Sequence, residues 1–390
     1  MAALPPLSLY VHIPWCVRKC PYCDFNSHAL REPAVPERAY VAALLADLAL
    51  EAEAVGERRI ETVFFGGGTP SLFSADAIAA ILAGVRARLP LAPDAEITLE
   101  ANPGTVEHGR FAEYRAAGVT RISLGVQSFD DAALARLGRI HGAHEVQAAL
   151  AELAAAGIEN FNIDLMYALP AQTLAGARAD VATACAARPA HISHYELTLE
   201  PNTLFAVRPP QDLPDDEARW AMQEECRALL AEQGYVQYEV SAWARPGREC
   251  RHNLNYWRYG DYLGLGAGAH GKLTDAAGRI VRRWKVRHPR DYLEKAGSTA
   301  CIAGSRTVPP GERGFEFMLN ALRLDEGFSA TLFSERTGLS LEALAAPLAA
   351  AESRGLLVRT DDGWRASALG RRFLNDLQSL FLPERAAGEA

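Results

Sequence analysis

The chain has no basic excess. Among its 390 residues, 40 Lys and Arg stand against 48 Asp and Glu, for a net charge of −8. Broad nucleic-acid binding relies on basic surface set against phosphates, so this balance argues against it. Apolar runs of membrane-spanning length are also missing. The opening Met1-Ala2-Ala3-Leu4-Pro5-Pro6 has neither the charged nor the apolar region of a secretory leader. The expectation is a cytoplasmic protein that meets a membrane only through its partners. Cysteine is scarce outside one short segment. Cys185, Cys226, Cys250 and Cys301 are scattered without metal-ligand spacing and read as buried thiols, with Cys250 set apart because it lies two residues before His252.

The other three cysteines are concentrated in Cys16-Val17-Arg18-Lys19-Cys20-Pro21-Tyr22-Cys23, directly after the apolar run Leu7–Ile13. Thiolates are soft ligands suited to iron–sulfur clusters. Zinc would want a fourth nearby ligand, yet only His12 and His28 are local and no second CxxC pair follows. A disulfide would leave an odd thiol. A cubic four-iron cluster held by three cysteines keeps one iron open.

Along the first two-thirds, short apolar runs alternate with Ala-rich amphipathic stretches. Strands are expected at Leu7–Ile13, Thr62–Phe65, Glu96–Glu100, Arg121–Leu124, Asn160–Leu165 and His191–Leu197. Helices are expected at Glu37–Val55, Ala75–Leu89, Val106–Ala117, Asp130–Leu137 with His144–Ala156, and Thr173–Ala187. This alternation predicts an α/β fold with a parallel sheet, an open partial (β/α)6 barrel over residues 1–200. A barrel extension follows over 201–308, with His252-Asn253-Leu254-Asn255-Tyr256-Trp257, a glycine-rich stretch Gly264–Gly271 and a strand at Arg279–Val286. Over 309–385, helices, a hairpin at Gly355–Arg359 and Asp361–Arg365, and a closing helix at Ala368–Phe381 suggest a winged-helix-like α+β module. In an acidic chain this module reads as a cap or partner-docking element. Glu384–Ala390 reads as a frayed end.

Ligands of parallel sheets collect at the carboxyl ends of the strands, and unusual residues fall there. The cysteine loop follows the first strand and Gly66-Gly67-Gly68-Thr69-Pro70 the second, where missing Cβ atoms permit close backbone approach. Glu100 ends the third strand, Gln127 lies past the fourth, and Asp164 sits inside the apolar run Phe161–Met166, where an unpaired charge is costly. Arg139 suits bidentate carboxylate binding. Tyr10 and Tyr22 flank the cysteines as aromatic contacts. His252 offers an imidazole able to ligate a metal, with Tyr256 and Trp257 as an aromatic pair beside it; the same residues equally fit a hydrogen-bonded core histidine beside packed aromatics. His270 and Cys250 are the other candidates.

The Cys16–Cys23 segment resembles the signature of the radical SAM superfamily, in which the open iron chelates S-adenosylmethionine (SAM). The run Gly66–Pro70 resembles that superfamily's element for the SAM amino group, with Thr69 where the element carries Glu. Tyr10–Cys16, Gly66–Pro70, Gly125–Phe129 and Asn162–Met166 together resemble the oxygen-independent coproporphyrinogen III oxidase family over essentially the whole chain. Within it, the chain is similar to the heme-chaperone branch. The oxidases carry a fourth Cys two residues after the third, where this chain has Phe25, and the chaperone branch carries a motif like His252–Trp257. The resemblance implies a [4Fe–4S] cluster on Cys16, Cys20 and Cys23. It implies SAM contacts at Tyr10, Tyr22, Gly67, Gly68, Thr69, Glu100, Gln127, Arg139 and Asp164, and heme at His252. The implied function is transfer of heme to acceptor proteins, with an electron donor possible and a monomer or cluster-dependent dimer. The alternative is SAM-dependent radical decarboxylation of coproporphyrinogen III.

Overall fold

The computed structural model describes residues 4–31, 34–105 and 110–383. The expected start of the third helix, before Arg110, and the tail Glu384–Ala390 lie outside the described residues. Six parallel strands form the heart of the molecule: β1 (Leu7–Ile13), β2 (Ile60–Gly67), β3 (Leu91–Ala101), β4 (Arg121–Gln127), β5 (Phe161–Tyr167) and β6 (His191–Glu196). Each is paired in parallel with the next in sequence. Helices Glu37–Val55, Ala75–Arg86, Arg110–Ala117, Ala143–Ala155 and Leu174–Ala186 make the crossovers. Side-chain caps from Ser74 and Thr173 to the amides of Ala77 and Gly176 start two of them where the sequence turns helical.

The strands alternate with period two. Leu9, Val11, Val63, Phe65, Leu99, Leu124, Ile163 and Ile192 belong to one continuous buried apolar core. The opposite faces carry Ser8, Thr62, Ser123, Asn162, Asp164 and His191, which bond to one another across the lumen. Thr62 Oγ1 donates to Ser8 Oγ at 2.8 Å, Asn162 Nδ2 to Ser123 Oγ at 2.8 Å, and His191 Nδ1 lies 2.6 Å from Asn162 Oδ1. The barrel is thus lined with polar groups that satisfy each other.

The extension beyond residue 200 does not form a layer of its own. It lengthens the same sheet at both edges through β7 (Val236–Glu239), β8 (Ala242–Ala244), β9 (Asp261–Leu265), β10 (His270–Thr274), β11 (Ile280–Lys285) and β12 (Ile302–Thr307), giving the order β12-β11-β10-β9-β1-β2-β3-β4-β5-β6-β8-β7. β9 is a further parallel strand, running beside β1. The glycine-rich stretch is partly strand because its glycines let chains pack closely: a Cβ at Gly264 would stand 2.1 Å from the His270 carbonyl oxygen.

The C-terminal segment builds a second core around Phe317, Phe328, Phe333, Leu348, Leu357 and Phe381, completed by Tyr259 and Ile280 of the extension. Its three short strands, ordered Phe328–Ser329, Gly363–Ala366 and Leu357–Arg359, form the wing. Among the described residues no helix is long and apolar enough to cross a membrane.

Candidate functional site

At the carboxyl ends of the parallel strands lies a cavity of about 460 Å³. Cys16, Cys20 and Cys23 line it from the loop that follows β1. A short parallel ladder of Trp15–Cys16 with His28–Ala29 closes this loop on itself. Side chains then pin it to the barrel. Arg18 Nη2 donates to the Arg139 carbonyl at 2.8 Å, and Asn26 Nδ2 to the Ala267 carbonyl at 2.9 Å. All three cysteines are half-buried, and each sulfur has a polar side chain beside it. Thr69 Oγ1 donates to Cys16 Sγ at 3.4 Å, Ser27 Oγ lies 3.7 Å from Cys23 Sγ, and Arg139 Nη1 donates to Cys20 Sγ at 3.6 Å. Burial pushes the Cys16 and Cys23 thiols above their ordinary range. A bound cationic group would displace those protons. Three soft donors around one cavity, with a guanidinium beside one of them, suit a multi-iron group whose thiolates each take a separate iron.

The glycine run is held against the cysteine loop. Gly68 N–H donates to the Ile13 carbonyl and Thr69 N–H to the Trp15 carbonyl, both at 2.8 Å. Gly67 has φ +117°, and a Cβ there would stand 2.5 Å from the His12 ring; one at Gly68 would stand 2.5 Å from the Trp15 carbonyl oxygen. Only glycine fits either position, so the backbone itself forms this wall of the cavity.

Two half-buried carboxyl groups face the same space. Glu100 Oε2 accepts the Gly67 N–H at 3.1 Å. Burial, and then the neighbouring Asp164, push Glu100 up to about 8. Asp164 accepts Asn162 Nδ2 at 2.7 Å and Ser123 Oγ at 3.2 Å, yet burial still raises it. Both groups retain acceptor capacity toward the cavity, which suits a ligand with hydroxyl donors. Gln127 ends β4 in the left-handed region, φ +72°, a position where strain is tolerated for a purpose. Its Oε1 accepts the Tyr195 hydroxyl at 2.7 Å. Arg139 Nη2 donates to the Gly125 carbonyl at 2.7 Å, while its buried Nε has no partner.

The structure therefore brings together Cys16, Cys20, Tyr22, Cys23, Gly67, Gly68, Thr69, Glu100, Gln127, Arg139 and Asp164 around one cavity. Tyr10, Cys250, His252, Tyr256 and His270, also singled out in the sequence, do not line this cavity. Tyr10 lines an adjoining cavity, its hydroxyl 3.0 Å from His12 Nδ1. His252, the expected heme contact, is buried, with Nδ1 2.8 Å from Thr62 Oγ1 and Nε2 3.0 Å from the Tyr256 hydroxyl. Cys250 is also buried, its thiol pushed up to about 12 by burial and pointed at Glu96 Oε1, 3.6 Å away.

Other residues line the cavity too. Tyr195, which the sequence did not mark, lies near the end of β6. Asn253 and Trp257 flank His252 on the helix Arg251–Trp257 and face the cysteine cavity, with the buried Trp257 indole nitrogen unpartnered. Arg323 reaches the same cavity from the C-terminal module, stacked 4.5 Å over the Trp257 ring and paired with Glu239. Nothing local marks it, because the contact spans two cores.

Residues 10–181 match the radical SAM superfamily, and residues 308–373 match the HemN C-terminal domain. The heme chaperone HemW of Escherichia coli (strain K12) is 51% identical over 384 residues, covering 98% of this chain and 100% of that protein. The heme chaperone HemW of Haemophilus influenzae is 48% identical, again covering 98% of this chain and 100% of the relative. The chain belongs to the HemW family. The solved structure of coproporphyrinogen III oxidase (HemN) from Escherichia coli aligns with a TM-score of 0.81 over 97% of this chain and 90% of that one. At 23% identity it shares the fold. HemW membership and the HemN-like fold agree with the partial barrel and C-terminal module described above.

Proposed function

We propose that this chain is a heme chaperone: it binds heme, holds a [4Fe–4S] cluster with SAM at the barrel mouth, and passes heme to acceptor proteins. The carrying observation is Phe25. Two residues past the third cysteine, where the resemblance places a fourth thiol in the oxidases, an apolar side chain stands 58% exposed at the rim of the cysteine cavity. The names of the HemW relatives support the same reading.

In this reading Cys16, Cys20 and Cys23 hold the cluster. The backbone of Gly67, Gly68 and Thr69 receives the amino end of SAM. Glu100 and Asp164 accept its hydroxyls. Gln127 and Arg139 orient its polar groups, and Tyr22 packs at its adenine. When bound, the cluster supplies an open iron that chelates SAM and a source of one electron. Tyr195 fixes Gln127 and the guanidinium of Arg139 offsets charge at Cys20. Residues 1–200 form the radical SAM core, 201–308 its extension, and 309–385 a module that lends Arg323 to the cavity. The work belongs in the cytoplasm, with a heme acceptor and an electron donor as partners.

The test is to prepare the protein anaerobically with its cluster rebuilt and to assay heme binding and coproporphyrinogen turnover with SAM in parallel. Stoichiometric heme binding without protoporphyrinogen formation is expected. Multiple turnovers to protoporphyrinogen would overturn the chaperone reading.

A further inference from the structure

Beside the cysteine cavity lies a second one of about 690 Å³, within the size range of small-molecule and cofactor pockets. Its walls are strongly aromatic, with Phe25, Tyr256, Tyr262 and Trp284 among them. It shares Phe25, Gly67 and Glu100 with the cysteine cavity, so the two are neighbours across one wall.

The histidines at this wall differ in what they are committed to. His12 uses Nδ1 toward the Tyr10 hydroxyl at 3.0 Å and Nε2 toward the Asn26 carbonyl at 2.9 Å. His252, behind Tyr256, is committed at both nitrogens as described. His270 is exposed and stacks on Trp284, ring centroids 6.2 Å apart at 22°. Neither of its ring nitrogens has a hydrogen-bond partner among the described residues. Burial, then the cations Arg282 and Arg287, lower its basicity, which favours the neutral imidazole that metals bind. Arg287 lines the same cavity, is exposed, and makes no ion pair with any described residue. A planar apolar ligand that carries a metal and peripheral carboxylates matches this set: aromatic faces, one uncommitted imidazole, one uncommitted guanidinium.

We infer that this second cavity is where heme docks, its porphyrin face against Phe25, its edge toward Trp284, its iron on His270 and a propionate on Arg287. The inference rests on the heme-chaperone reading and names the site through which that function works. It also gives Phe25 a positive role, as an apolar platform in the place of a thiol.

The experiment titrates the full-length, cluster-rebuilt protein with hemin, followed by the Soret band and by electron paramagnetic resonance. Wild type, His270→Ala and Phe25→Asp are compared, and each is also titrated with metal-free protoporphyrin IX. Wild type is expected to bind one hemin with a histidine-ligated spectrum. His270→Ala should lose that spectrum and bind hemin about ten-fold or more weakly, yet bind protoporphyrin IX like wild type, because only the iron bond is gone. Phe25→Asp should weaken both ligands. His270 and Phe25 are exposed, so neither substitution threatens the core. Unchanged hemin affinity and spectrum in His270→Ala would overturn this site and leave the chaperone reading intact. Failure of wild type to bind hemin at all would overturn the chaperone reading itself.

Discussion

Replacing Glu100 by Gln isolates the electrostatics of the barrel lumen. The half-buried carboxyl sits beside the Gly67 amide, and desolvation first, then Asp164, raise its pKa from 4.5 to about 8. Between those values the folded protein keeps a proton that the unfolded chain has lost. Stability is therefore fully present below the unfolded value and falls as pH rises through the folded one. One pKa unit is worth about 1.4 kcal/mol, so the window from 4.5 to about 8 corresponds to about 5 kcal/mol, an upper bound because relaxation and water entry reduce it. Gln keeps the shape, still accepts the Gly67 N–H, and has no proton to lose. Urea unfolding of the SAM-free, cluster-loaded protein should show wild type losing stability relative to Glu100→Gln from about pH 5 to about pH 8, with the variant the more stable at the upper end. Comparing the two proteins in one cofactor state cancels the cluster's own contribution. Parallel stability profiles for the two proteins across this range would refute the reasoning.

Three further outcomes follow from buried groups. Lys285 Nζ is shared by Asp47 Oδ1 at 2.5 Å and Glu51 Oε1 at 2.6 Å, all three buried; Lys285→Met takes the cation from Asp47 and leaves Glu51 with Arg283 alone, and should cost about 3–5 kcal/mol in urea unfolding. His252→Ala leaves the Tyr256 hydroxyl and Thr62 short of a partner, so it should destabilise by about 1–3 kcal/mol while hemin affinity in a Soret titration stays near wild type. Arg139→Gln removes the cation nearest Cys20 Sγ and should move the reduction potential of the rebuilt cluster to more negative values in a redox titration followed by electron paramagnetic resonance.

Much of the barrel was legible because local chemistry and tertiary need agree there. Leu7–Ile13 and Glu37–Val55 run as the pattern expects, and the cysteine loop, the glycine run, Glu100, Gln127 and Asp164 meet at one edge because every parallel strand ends there. What escaped the pattern was long-range. β9 joins β1 across most of the chain, and the short run Asp261–Leu265, followed by glycines, offers too little periodicity to be told from a turn. Arg323 enters the cavity from another core. The commitment of His252 depended on Thr62, which lies on a different strand and carries no mark of that partnership.

The motif helix Arg251–Trp257 ties its imidazole to neighbours on two sides. His252 and Tyr256 are four residues apart, as are Asn253 and Trp257, so each pair shares a helix face. The first pair is bonded internally at 3.0 Å and turns Tyr256 toward the aromatic cavity; the second pair faces the cysteine cavity. The spacing His-Asn-x-x-Tyr-Trp is therefore what a short helix needs to serve two cavities at once. His252 acts from behind, fixing Tyr256 against the strand that carries Thr62. Gly67, Glu100 and Phe25 stand between the same two spaces. A ligand in one cavity thus touches residues that also bound the other, so an occupant of either space is sensed at this shared wall.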